Sequence, residues 1–154
     1  MAINPNTDFS TGAVLTAAQQ NRFPRGVMAY TESTTNVTGI STEVVTITGA
    51  SFTAVANRYY KVTYFEPDPN SVTSTGYWGL SIRLTNISGA QKMIGYSNYV
   101  AAGTNLLGTI MWVGTLSAGT TNFVGTALTN NGTMRLDRYS GAPAFLLVED
   151  IGPA

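Results

Sequence analysis

From Arg25 onward the chain shows no helical repeat of apolar residues, and short β-type segments follow one another between turn residues. Trp78, Leu80, Ile82 and Leu84 alternate with Gly79, Ser81, Arg83 and Thr85. That is the period of two expected of a strand with one face buried and the other wet. Gly26–Glu32 opens the series, and Glu43–Thr48 is β-branched between turn residues. Arg58–Phe65 is aromatic and β-branched, with Pro67 and Pro69 placed to end it. Further strands are expected around residues 91–98, 106–115, 121–128, 133–139 and 144–150, and Asn131-Gly132 is the clearest hairpin signal. About eight to nine strands with no helix between them give a sandwich or barrel, and a jelly-roll-like β-sandwich over residues 25–154 fits best. No internal repeat stands out, and no second domain fits.

The closing stretch, Phe145 to Ala154, is an apolar run, two acids and then Gly152-Pro153. It reads as a strand that stops at the glycine, because Gly-Pro extends neither helix nor sheet. Residues 1–24 differ in character. Thr16-Ala-Ala-Gln19 has the form of a capping box, in which each side chain satisfies a backbone donor at a helix start. A short helix through Asn21 is expected, with Pro24 blocking its continuation. Two turns with few apolar residues cannot fold alone and must dock. The surface it docks on is either its own domain or a neighbouring subunit. We therefore expect residues 1–24 to form a helical attachment arm, with Phe9, Val14, Leu15 and Phe23 as its contacts.

Composition removes several functions. The chain has 8 basic and 8 acidic residues, no formal net charge, and only 10% charged positions, against roughly 25% in an average domain. Nucleic-acid binding needs clustered Lys and Arg, which are absent. So sparse a charge leaves little repulsion between copies, which favours self-association. Without histidine or cysteine, the usual zinc ligands and Ser–His–Asp or Cys–His catalysis drop out. Met1-Ala-Ile-Asn-Pro has no basic segment leading into an apolar core, and no run approaches the roughly 18–20 apolar residues of a membrane span. The expectation is a protein made in the cytoplasm, without membrane, cofactor or metal.

Glu149 and Asp150 point to opposite faces of a strand, so they make no catalytic carboxylate pair by themselves. They are expected as solvated or interface charges. Glu66-Pro-Asp68-Pro-Asn70 reads as an exposed loop stiffened by proline; a calcium site there would need further oxygens. The aromatic residues Tyr59, Tyr60, Tyr64, Phe65, Tyr77, Trp78, Tyr96, Tyr99, Trp112 and Tyr139 divide between core and surface. Outward tyrosines, with Tyr77 and Tyr99 as candidates, suit a glycan or a protein interface. No residue set supports an enzyme.

Several segments together resemble tailed-phage virion proteins, most closely those of phages infecting actinobacteria. Asp8-Phe-Ser-Thr-Gly-Ala-Val-Leu-Thr-Ala-Ala-Gln-Gln-Asn21 resembles their opening, and Phe145-Leu-Leu-Val-Glu-Asp-Ile-Gly-Pro153 the close of the associated β-domain. Between them, Arg25-Gly-Val-Met-Ala, Ala56-Asn-Arg-Tyr-Tyr-Lys-Val-Thr63 and Ser117-Ala-Gly-Thr-Thr follow in matching order. The resemblance implies a jelly-roll domain, a homotrimer, on the virion surface as a capsid decoration, head fibre or minor tail protein. Its partners would be copies of itself, the major capsid protein or tail proteins, and a host cell-wall glycan. This chain has no extra segment between arm and β-domain, and no heptad or collagen-like repeat, which argues against a long-reaching fibre.

Overall fold

The computed structural model describes residues 11–12, 14, 16–71, 75–99 and 101–154. In chain order come α1 (Ala17–Gln20), β1 (Gly26–Ser33), β2 (Val37–Ile40), β3 (Val44–Thr48) and β4 (Phe52–Ala54). Next are β5 (Arg58–Glu66), β6 (Pro69–Ser71), β7 (Tyr77–Leu84), β8 (Gln91–Asn98) and β9 (Gly108–Thr115). The last four are β10 (Gly119–Thr121), β11 (Phe123–Thr129), β12 (Met134–Leu136) and β13 (Ala144–Pro153).

The eight longer strands sort into two four-stranded antiparallel sheets, β1-β13-β5-β9 and β3-β11-β7-β8. The chain therefore crosses between sheets repeatedly, and the first and last strands lie side by side. Two small sheets, β2-β12-β6 and β10-β4, complete the sandwich. The expected all-β class, with antiparallel sheets in a sandwich-like arrangement, is what the chain adopts.

Alternation builds the core. Along β5 every second residue is buried, from Arg58 through Tyr60, Val62 and Tyr64 to Glu66. On β13 the buried set is Ala144, Leu146, Val148, Asp150 and Gly152. The facing sheet contributes Trp78, Leu80 and Ile82 from β7 with Phe123 and Ala127 from β11. Phe123 lies 6.2 Å from Phe52 and 5.7 Å from Trp112, ring centre to ring centre. At roughly 25 cal/mol per Å² of apolar surface, this interleaved layer is the main stabilising term.

Several expectations need correction. The N-terminal helix is one turn, Ala17–Gln20, with both capping-box bonds between Thr16 and Gln19 formed, and not a two-turn helical arm. β13 runs past Asp150 to Pro153: a bulge between Asp150 and Gly152 turns Ile151 outward, and Gly152 adopts φ +123°. Pro153 is accommodated because β1 ends opposite Asp150, leaving the last residues of β13 at an edge. Asn131-Gly132 is no hairpin, since β12 pairs with β2 and β6 and not with β11. The second face of β7 is not wet either, because Ser81 is fully covered and donates to the Met93 carbonyl.

Candidate functional site

Both ends of the inner face of β5 carry a charge, and each charge meets its partner inside the protein. At the far end Glu66, fully buried, accepts from Arg138 Nε at 3.0 Å and from Arg138 Nη2. Tyr64 Oη also donates to Glu66 Oε1. The remaining Arg138 donor, Nη1, reaches Ser33 Oγ and the carbonyls of Thr35 and Thr46, at 3.1–3.2 Å. Burial, reinforced by the Glu66 charge, pushes the Tyr64 hydroxyl well above its usual range, so it stays protonated. All these groups belong to the sandwich. Glu66 is thus no part of an exposed loop, and among the described residues no His, Cys, Asp and Glu cluster could hold a metal.

At the near end Arg58 pairs with Asp150, with Nε–Oδ2 at 2.5 Å and Nη2–Oδ1 at 2.7 Å. The Asp150 side chain has no exposure, which corrects the expectation of a solvated charge. Its Oδ1 also accepts from the Gly152 amide at 3.0 Å. The other donors of Arg58 face outward along the chain: Nη1 to the Asn21 carbonyl and Nη2 to the Phe23 carbonyl, both at 2.6 Å. One guanidinium therefore joins the last strand to the segment just after α1. Asn21 also donates its amide to Ala17, so the turn and its anchor are continuous. Of the expected arm contacts, Phe23 is 39% exposed and Val14 88% exposed. Phe9 and Leu15 lie outside the described residues.

The outer face of the β1-β13-β5-β9 sheet is largely apolar, with Glu32 on the β1 edge accepting from Tyr30 Oη at 3.0 Å. Phe65 stacks on Phe145 at 5.0 Å, and Tyr30 leans on Phe145 at 6.1 Å. Leu147, opposite Tyr30, continues the patch, and Met111 and Val113 on β9 are about half exposed. Lys61 and Glu149 sit in the middle of this face but neutralise each other at 2.6 Å. The outer face of the other sheet is more polar. There Glu43 is held by Arg83 at 2.6 and 2.7 Å and by Thr126 Oγ1 at 2.6 Å, and the Arg83 hydrogen bonds hold its carboxyl below the usual range.

The two expected surface tyrosines part company. Tyr77 is 38% exposed; Tyr99 is 8% exposed in the core and donates its hydroxyl to Thr129 Oγ1 at 2.7 Å. Tyr99 is therefore no surface aromatic. Sequence reasoning missed Tyr96 as the partner of Tyr77: the rings meet edge to face, 5.1 Å apart at 80°. Tyr96 lies on β8 directly opposite a glycine, Gly79, a register that only the strand pairing reveals. Tyr77, Tyr96, Ser97 and Asn98 line an open hollow of about 430 Å³.

No family model matches the chain, and no curated protein matches it. Among solved structures it is similar to Eiger TNF from S. frugiperda, at 11% identity and TM-score 0.47, covering 84% of this chain and 96% of that one. It is also similar to the T13 IBDV viral particle protein, at 12% identity and TM-score 0.45, covering 98% of this chain and 41% of that one. A carbohydrate-binding module from Cellvibrio mixtus lichenase 5A aligns at 16% identity and TM-score 0.36, covering 80% of this chain and 98% of that one. Likenesses at this level leave the function to be argued from the chain's own residues.

Proposed function

We propose that this chain is a non-enzymatic structural protein on the exterior of a tailed-phage virion, acting as a capsid decoration or short head fibre. The strand order of its two large sheets is that of a jelly roll, with alternate crossings between layers. It assembles as a homotrimer through the outer face of the β1-β13-β5-β9 sheet, and residues 1–24 fix it to the major capsid protein. The observation that carries this reading is that largely apolar face: Tyr30, Phe65, Met111, Val113, Phe145 and Leu147, with Lys61 paired to Glu149 and Glu32 at the β1 edge accepting from the Tyr30 hydroxyl. A contiguous apolar surface of this kind marks an association site. The identity of the particle rests on the segments at residues 8–21 and 145–153 that resemble virion proteins.

The direct test is cryo-EM of the particle that contains the chain. Density on the capsid is expected; density confined to the tail would instead make it a minor tail or tail-tip protein. Absence from the particle would sink the virion reading. Light scattering of the purified protein tests assembly by itself, with three copies expected and a monomer at micromolar concentration contradicting it. A second reading, recognition of a host cell-wall glycan, is favoured by the exposed Tyr77–Tyr96 pair.

A further inference from the structure

We propose that the two hollows flanking Tyr96 form one binding site for an uncharged sugar ring, an inference that rests on the glycan-binding reading. On the outer side of β8 lies the hollow of about 430 Å³ bounded by Tyr77, Tyr96, Ser97 and Asn98. On the inner side a slot of about 160 Å³ opens between the two sheets, bounded by Trp78, Tyr96, Ser97, Leu107 and Ile110 among others. Tyr96 and Ser97 belong to both. The outer hollow by itself falls in the size range of roughly 300–1,000 Å³ typical of small-molecule sites, and the slot extends it past Tyr96.

Register explains why the ring stands ready. Tyr96 lies opposite Gly79, and a Cβ there would fall 2.8 Å from the Tyr96 ring. The missing side chain lets the ring settle over β7, while Tyr77 braces its edge and 59% of Tyr96 remains exposed. A flat ring in one fixed orientation fits the C–H face of a pyranose at little entropic cost. Ser97 and Asn98 supply a hydroxyl and an amide for sugar hydroxyls. Among the described residues β8 pairs only with β7, so its second edge adds backbone donors and acceptors.

Charge sets the ligand class. None of the residues lining either hollow is ionisable at neutral pH, so nothing there matches a phosphate, uronic acid or amine. Trp78 adds a second observation: it is 4% exposed, it walls the slot, and its Nε1 is enclosed without a hydrogen-bond partner. An unpaired buried donor is costly, and such groups are found at binding sites or beside water.

The test is calorimetry on the full chain with neutral oligosaccharides and with uronic-acid-bearing ones. Saturable binding of a neutral oligosaccharide is expected, weakened about tenfold or more, equal to ~1.4 kcal/mol, in Tyr96→Ala. Tyr96→Ala also uncovers Gly79, so Asn98→Ala serves as the second variant and weakens binding without touching that contact; Tyr96→Phe, which keeps the ring, retains binding. Neutral-glycan binding unchanged in both alanine variants overturns this site but leaves the glycan reading standing. Preference for the acidic oligosaccharides overturns the uncharged class. A wild-type chain that binds neither the oligosaccharides nor host cell walls overturns the site and the glycan reading together.

Discussion

At one end of β5, Arg138 directs its donors to Glu66, Ser33, Thr35 and Thr46, all within the sandwich. At the other end, Arg58 holds Asp150 of the last strand and then reaches the carbonyls of Asn21 and Phe23. The chemistry is the same, a buried guanidinium–carboxylate pair, and the side chains are almost equally enclosed. What differs is the chain that each pair ties down. The Arg138 cluster locks the two sheets to each other. The Arg58 cluster ties the segment just after α1, which lies outside the strands, to the last strand of the sandwich.

The comparison can be broken, beginning with the largest effect. Arg138→Met leaves Glu66 as an uncompensated buried charge, and removing one partner of such a pair costs about 3–5 kcal/mol. Urea unfolding should show the loss as one cooperative transition at lower urea. If the midpoint barely moves, the Arg138 cluster does not hold the sheets. Replacing both partners, as Arg138→Met with Glu66→Gln, should recover part of the stability, because no unpaired charge is then buried.

Arg58→Met comes next. The Gly152 amide still serves Asp150, so its cost should fall at or below the lower end of the same range, about 3 kcal/mol. Limited proteolysis sharpens the contrast: cleavage near residues 21–25 should rise far more in Arg58→Met than in Arg138→Met. Equal cleavage in the two variants would erase the distinction between the clusters.

The exposed pairs should matter much less. Glu43→Gln removes a partly exposed pair with Arg83, worth about 0–1 kcal/mol. Its sign with pH is fixed: a carboxyl held below its ordinary range in the folded protein stabilises above that range, and the contribution is lost as pH falls through the folded value. Wild type should therefore lose stability on acidification below the usual glutamate range faster than Glu43→Gln. Asp68 has the opposite sign, since burial first and then Asp137 raise its pKa, and its Oδ1 is enclosed without a partner. Asp68→Asn should raise the thermal midpoint slightly at neutral pH, with the gain shrinking in acid.

How much of this was legible depended on range. Aromatic and β-branched composition bounded by turn residues made β5 readable almost to the residue, and the expected strand at residues 91–98 coincides with β8, because both signals are local properties of the chain. The short strands were not: Pro69-Asn-Ser71 looks like loop, and only pairing with β12 makes it a strand. Glu66 and Asp150 looked like surface acids because their arginines lie 72 and 92 residues away. No local pattern announces such a partner. Tyr96 and Tyr99 were ranked the wrong way round for a related reason. Tyr96 lies outward on the same face as Tyr77, while Tyr99, just beyond the end of β8, folds in to meet Thr129.

Amide hydrogen exchange on wild type, Arg58→Met and Arg138→Met is the most direct test of the division of labour between the two clusters. In Arg58→Met the amides of Asn21, Arg22 and Phe23, which close the turn after α1, should lose protection almost completely. The centres of β5 and β13 should stay protected there, falling only in step with overall stability. Arg138→Met should lower protection across both large sheets together and leave the turn no more affected than they are. Wild-type protection of residues 21–23 in Arg58→Met would contradict the account.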